Sequence, residues 1–402
     1  MSHDVNLYDP DVQENWYPTY QQLRDHQPVY KVPGANLFVI SRYDDVLYVL
    51  RHQDLFPTGS SFVRSDAARA IYDERGWERM NPLSVNPPDH RLYRSLVDGF
   101  FNGEGLTPAT PFIESTISSL IDDFAKDGSV EFIDRFATPL PLAIITHLLG
   151  FPAEDMEQLK AWSSAWVLPF SGPLTDDQEV WVAENVVEFQ HYIADQAAAK
   201  RRDPSDDVLS ALVHARFDET RPLSEHEIIT ITDHLYIGGN ETTTFALASA
   251  LWVLLRTPGL LTEIRDDRTK VAPFIEEALR LESPTQGLFR VASRDVELHG
   301  VTIPKGAAVH IRYAAANRDE RMFDDPERVL LDRENILRHM AFSLGAHSCP
   351  GSGLSRLEQS MALNALIDRL DDLRLSDRND YTHQPGFVLR ALGELHISFT
   401  PE

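Results

Sequence analysis

The chain has 402 residues, with 37 Lys and Arg against 62 Asp and Glu, a formal net charge of −25. So acidic a protein argues against nucleic acid or an anionic membrane surface as a partner, and it favours solubility. Its single cysteine excludes an internal disulfide, a multi-cysteine metal site and an iron–sulfur cluster held by this chain alone.

Met1 to Tyr17 is polar, carries Asp4, Asp9, Asp11 and Glu14, and lacks the apolar core of a signal peptide or membrane anchor. With the scarce cysteine, this predicts a cytoplasmic protein. Pro28–Val32 and Asn36–Ser41, separated by Pro33-Gly34, read as strands with Val29, Val32, Phe38 and Ile40 on the buried face. Residues 57–88 read as a long irregular loop, and such loops are often functional. Asn86-Pro87-Pro88-Asp89 reads as a helix start, which puts His90 and Arg94 on one helix face. Taken alone, that pair is a solvated basic face.

From Pro111 to Phe217 the apolar positions recur at helical spacing, as at Ile113, Ile117, Leu120, Ile121 and Phe124. Leu140 to Leu149 is strongly apolar. Ala161 to Phe170 is aromatic and apolar, and breaks at Ser171-Gly172-Pro173. Ser224 with Glu227 three residues on forms a capping box, which launches a helix predicted to reach about Arg256. At its middle stands Ile237-Gly238-Gly239-Asn240-Glu241-Thr242-Thr243-Thr244. Each interior glycine costs about 1 kcal/mol relative to Ala. Either the glycines allow close helix packing, or chemistry explains why the segment departs from helix preference. Phe274 to Leu281 holds Glu277 and Arg280 three apart, able to pair on one face. Ser283-Pro284 ends that helix. Asp295 to Gly306 alternates like a hairpin that turns at His299-Gly300.

Phe342 to Arg356 reads F-S-L-G-A-H-S-C-P-G-S-G-L-S-R and contains Cys349. Gly345, Gly351 and Gly353 let a bulky planar group approach closely. Backbone N–H groups at a helix start favour an anion, so a thiol of ordinary pKa about 8.5 is expected there to lean towards thiolate. Three readings stand side by side: a small buried hydrophobe, a nucleophile with a histidine base, for which His347 lies two residues away, and a haem thiolate.

Phe342, Gly345, His347, Cys349 and Gly351 match F-x-x-G-x-H-x-C-x-G, with Leu354 and Arg356 following. This resembles the cysteine loop of the cytochromes P-450, the haem-thiolate monooxygenases, and other motifs of that family occur in the right order over nearly the whole chain. The resemblance implies one domain over residues 1–402, mainly α with a minor β-rich region at about 28–50, 295–311 and 386–400. Haem b is expected between the long central helix and the cysteine loop, with Cys349 as the iron ligand and Phe342 and Gly351 beside the cofactor. By the family's H-x-x-x-R, His90 and Arg94 bind the haem propionates, joined by Arg290 and His347. By its [A/G]-G-x-[D/E]-T, Gly238 and Gly239 make room for dioxygen, Thr242 hydrogen-bonds the oxygen and Glu241 relays protons. By its E-x-x-R, Glu277 and Arg280 join Arg333 in a structural cluster.

The family's substrate-lining segments point to Phe62, Val85, Leu168, Phe170, Gln286, Leu288, Phe289, Phe387 and Val388. Two positions depart from the pattern: Ser343 stands where Gly is usual, and Pro350 where a residue with an N–H is common. Removing that donor is expected to leave a more electron-rich sulfur, unless Pro350 simply starts the following helix. With no flavin or iron–sulfur module in the chain, the resemblance implies a separate ferredoxin and its NAD(P)H reductase. Arg91, Arg338 and Arg356 are expected to form the basic patch that docks the ferredoxin. The implied activity is insertion of one atom of O2 into a small, mostly apolar molecule. A peroxide-driven or isomerising haem enzyme, a haem-based sensor and a cysteine-nucleophile hydrolase are the alternatives.

Overall fold

The computed structural model describes residues 5–59, 64–77 and 82–401. The fold is mainly helical with small sheets, and it is organised around the helix Glu225–Arg256, 32 residues long. At 1.5 Å per residue this helix runs about 48 Å. Both halves of its capping box form: the Ser224 hydroxyl accepts from the Glu227 N–H at 3.2 Å, and the Glu227 carboxylate accepts from the Ser224 N–H at 2.7 Å. Apolar side chains on nearly every face bury it, and it packs against helices Pro139–Leu149 and Asp176–Arg202. The glycine- and threonine-rich middle stays helical throughout. Thr242 and Thr244 donate their hydroxyls to the carbonyls of Gly238 and Asn240 one turn back, at 2.9 and 3.1 Å.

A four-stranded sheet runs in the order Val29–Lys31, Leu37–Ile40, Ala308–Ile311 and Leu288–Val291, with a parallel pair at its centre. A three-stranded sheet joins Asp371–Leu375, His396–Thr400 and Ser129–Glu131. Val296–Leu298 and Val301–Ile303 form the expected hairpin. Its turn residues His299 and Gly300 both have positive φ, 51° and 72°, which fits the twist of two-residue hairpin turns.

The predicted β-rich tracts need correction. The stretch 28–50 ends not in strand but in helix Tyr43–Arg51, whose Val46, Val49 and Leu50 bury one face. The loop 57–88 contains helix Asp66–Arg75, capped by the Ser65 hydroxyl. The stretch 386–400 is strand only from His396. Strands Leu288–Val291 and Asp371–Leu375 lie outside the expected tracts, because their pairing partners are far away in sequence. Among the described residues, no single helix is long and apolar enough to cross a membrane.

Candidate active site

Cys349 closes the loop Phe342–Gly351, its N–H donating to the Phe342 carbonyl at 2.9 Å. The helix Ser352–Arg369 starts just after it. Asn102 clamps this junction: its amide donates to the Pro350 carbonyl at 2.8 Å and accepts from the Gly353 N–H at 3.2 Å. A β-carbon at residue 353 would stand 2.8 Å from the Phe101 carbonyl, so the close approach requires glycine there. Ser343 sits at φ 57°, which explains why glycine suits this position. Its hydroxyl is held at 3.1 Å from that of Tyr313. The expected lean of Cys349 towards thiolate is not what the loop produces unaided. Burial pushes the thiol up, outweighing the Gly351 N–H and the charges of Arg94 and Arg356 that favour the anion.

Sγ faces a cavity of about 300 Å³. The central helix forms the opposite wall, with Leu235, Gly238, Gly239, Thr242, Thr243 and Ala246 lining it. These fall on one helical face. The two glycines do different things. A β-carbon on Gly238 would meet open space, whereas one on Gly239 would lie 2.9 Å from Ile145 Cδ1. Gly238 therefore widens the cavity, while Gly239 brings the helix close to Pro139–Leu149; both roles weighed for the pair are present, one on each glycine.

Thr242 lines the cavity, but Glu241 does not. One position along, its carboxylate turns to helix Met156–Val167 and accepts from Lys160 Nζ at 2.6 Å and Ser163 Oγ at 2.9 Å. Asn240 donates to the same Ser163 hydroxyl at 2.7 Å. Lys160 is 30% exposed, so the buried Glu241 carboxylate is paired with a cation that reaches solvent. Lys160 and Ser163 were not legible in sequence, since nothing in their own segment marks them.

At one rim four basic side chains converge. The His90 and His347 rings meet at a tilt of 47° with centroids 4.0 Å apart, and Arg94 and Arg290 flank them. Arg94 donates to the Ser348 carbonyl at 2.8 Å and to Asp98 at 2.7 Å. Arg290 shares the Tyr313 hydroxyl with Ser343. Burial, with His90, Arg290 and Arg94 adding to it, holds the His347 imidazole at about 3. Burial and Arg94 also lower His90. His90 Nε2 and both ring nitrogens of His347 are buried with no hydrogen-bond partner inside the protein. Orphaned buried polar atoms are costly. Two carboxylates at this rim would satisfy them and balance the two guanidiniums, so the residues fit a haem whose propionates lie here and whose iron faces Cys349.

Behind the loop, Arg356 forms a two-point ion pair with Glu276 at 2.6 and 2.9 Å and lies over the Phe342 ring at 4.5 Å. Its side chain stays 36% exposed, so the same guanidinium that holds Phe342 also reaches the surface. Arg91 and Arg338 are exposed. Burial would raise the Glu276 pKa, yet hydrogen bonds from His339 and Arg356 overcome it and hold the carboxyl at about 2. A folded value below the ordinary 4.5 means that this pairing stabilises the protein above about pH 4.5 and is lost as pH falls towards 2. Acid titration followed by circular dichroism is expected to show wild type losing its margin over Glu276→Gln across that window, a margin on the order of 3 kcal/mol at neutral pH. A margin that does not change with pH would refute this.

Glu277, Arg280 and Arg333 come together, all buried. Glu277 accepts from Arg280 at 2.7 and 3.0 Å, from Arg333 at 2.9 Å and from the Leu330 N–H at 2.8 Å.

Of the eight expected pocket residues that are described, only Leu288 lines the cavity. Leu288 and Arg290 alternate with Phe289 along one strand, so Phe289 points to the other face, towards His310. Phe387 and Val388 are buried there too, with Phe387 beside Arg312 and Trp16. Gln286 is fully buried and bonded to Tyr20 and to the Ser283 carbonyl. Val85, Leu168 and Phe170 pack on the main core. Phe62 lies outside the described residues. The wall includes instead Leu83, Ile145, His234, Leu279, Thr285 and Tyr313. Counting turns in both directions from Thr242 would have found His234, Leu235 and Ala246. A larger, open hollow of about 590 Å³ near Glu131 and Arg378 is polar and contains no residue of the cysteine loop, so the chemistry is not there.

Comparison with known proteins agrees with this geometry. The family model Cytochrome P-450 matches residues 155–397. The chain is 32% identical over 375 residues to a putative cytochrome P-450 123 of Mycobacterium tuberculosis, covering 93% of this chain and 92% of that one. It is 32% identical over 393 residues to the biotin biosynthesis cytochrome P-450 of Bacillus subtilis, covering 96% of both. Among solved structures, P-450BioI in complex with an acyl carrier protein bearing hexadec-9Z-enoic acid superposes with a TM-score of 0.88 at 30% identity, over 97% of this chain and 99% of that one. CYP109E1 of Bacillus megaterium in complex with testosterone gives 0.83 at 28% identity, over 96% and 99%. The chain thus belongs to the cytochrome P-450 family of monooxygenases, of the bacterial type, for which haem b and O2 are the implied cofactor and co-substrate.

Proposed function

We propose that this protein inserts one atom of O2 into an unactivated bond of a small, mostly apolar molecule, the second atom leaving as water with two protons and two electrons consumed. The observation that carries this reading is the split between Thr242 and Glu241: a hydroxyl on the cavity wall facing Cys349, and next to it a buried carboxylate reaching outward to Lys160. Haem, when bound, supplies the activation of O2, with Cys349 as its thiolate ligand. Cys349 is the only thiol in the chain and is held by the Phe342 carbonyl and the Asn102 clamp. His90, Arg94, Arg290 and His347 orient the group through its carboxylates. Thr242 holds a proton on Oγ1, given at rest to the Gly238 carbonyl and free to turn to oxygen in the cavity. Glu241, bridged to solvent by Lys160, resupplies it; a sensor has no use for such a route. Gly238 leaves the room that this transfer needs.

The whole chain works as one domain in the cytoplasm on this reading. Electrons come from NAD(P)H through a reductase and a ferredoxin, which docks at a face carrying Arg91, Arg338 and Arg356. The structures of relatives with a fatty acyl chain and with a steroid make those skeletons the first classes to screen.

Thr242→Ala is expected to bind substrate as before but to divert reducing equivalents to hydrogen peroxide, with product formed per NADH falling at least about tenfold, within the ~10²–10⁴-fold that a positioned proton donor contributes. Unchanged coupling would overturn the proton-delivery role.

A further inference from the structure

The cavity wall is apolar near its middle, with its charged groups gathered at the propionate rim. One titratable side chain stands apart from that rim. His234 occupies the same face of the central helix as Gly238 and Thr242, one and two turns earlier, and it lines the cavity. Eight residues of helix separate its Cα from that of Thr242 by about 12 Å. The ring is fixed from behind. Nδ1 lies 2.7 Å from the Thr230 carbonyl and 2.6 Å from Asp233 Oδ1. Both are acceptors, so Nδ1 carries the proton and Nε2 is the ring atom left for a ligand. Trp166 stands edge-on against the ring, centroids 5.2 Å apart and planes at 88°, which fixes its tilt. Asp233 is fully buried, and its Oδ2 has no hydrogen-bond partner. A buried carboxylate that serves only to orient one imidazole is an expensive arrangement for packing alone. The other small hydroxyls nearby are engaged differently: Thr58, for example, donates to the Ser84 carbonyl.

Resting on the monooxygenase reading above, we propose that His234, positioned by Asp233, anchors the substrate by a polar group far from the carbon that is oxidised. The substrate class is an apolar skeleton bearing a hydroxyl roughly 12 Å from the reacting carbon, the helical distance from His234 to Thr242. A hydroxyl suits the site because it both donates and accepts, so it pairs with Nε2 whether or not that nitrogen is protonated. The anchor fixes which end enters first: oxidation falls on the end remote from the hydroxyl.

The test is an optical titration of the haem-loaded protein with 1-decanol and with n-decane, which differ only in the hydroxyl. Wild type is expected to bind 1-decanol at least about tenfold more tightly, the range of one buried hydrogen bond. Its Soret band is expected to shift to the blue, because the hydroxyl sits at His234 and the methyl end displaces water near iron. His234→Phe preserves the aromatic contact with Trp166 and is expected to bind both probes alike. His234→Gln keeps a hydrogen-bonding group and is expected to retain part of the preference. Equal binding of the two probes by wild type, an undiminished preference in His234→Phe, or a red shift showing the hydroxyl at iron would each overturn the anchor. The reduced carbon monoxide spectrum of the same samples separates the two claims. A red-shifted band with no preference for 1-decanol sinks the anchor alone, and its absence in wild type sinks the monooxygenase reading and the anchor with it.

Discussion

Cys349→Ser is expected to abolish the strongly red-shifted Soret band of the reduced carbon monoxide complex, and with it all substrate oxidation, while leaving the fold intact. The chain offers no second thiol to replace the ligand. Serine is close in size, and the backbone bond from residue 349 to the Phe342 carbonyl does not involve the side chain. The Asn102 clamp binds Pro350 and Gly353 and is likewise untouched. Far-ultraviolet circular dichroism should therefore match wild type, which distinguishes loss of the ligand from loss of the fold. The structure sharpens the case: burial disfavours the free thiolate, so the anion depends on a cationic partner such as iron. A variant that kept the red-shifted band would show that another residue ligates the haem, and the assignment of Cys349 would fall.

Glu277→Ala is expected to destabilise the protein by about 3–5 kcal/mol, the cost of removing one partner from a buried ion pair. The carboxylate accepts from Arg280 and Arg333, and both guanidiniums are buried with it. Without it two cations remain in the core, supported only by carbonyls such as those of Asn317 and Asp324. The Leu330 N–H loses its acceptor as well. Because Arg333 stands in the segment leading to the cysteine loop, haem retention is expected to weaken along with thermal stability. Denaturant unfolding measures the first effect and the haem-to-protein absorbance ratio after gel filtration the second. A loss below about 1 kcal/mol would place the cluster in the class of ordinary surface pairs.

The sequence by itself determined what local pattern and spacing can carry. The capping box at Ser224 and Glu227 announced the central helix, because a cap is a contact within four residues. The cysteine loop was readable because a ligand, its glycines and its flanking helix are contiguous. His90 and Arg94 were legible as a pair on one helical turn, though only the tertiary structure set them against His347 and Arg290, some 200 residues and more downstream.

What only the tertiary structure decided is direction. The alternation of Leu288, Phe289 and Arg290 was visible, but which face met the cavity depended on a strand partner at Ala308–Ile311. That choice removed Phe289 from the expected pocket, as burial against Arg312 and Trp16 removed Phe387. Gly238 and Gly239 look equivalent in sequence and differ because the helix turns about 100° between them, one towards open space and one towards Ile145. Arg356 read as a surface charge, and only the fold brings Glu276, on a helix 80 residues earlier, to pair with it. A side chain's role is set by what faces it, and in a fold this rich in long-range packing the facing residue is seldom near in sequence.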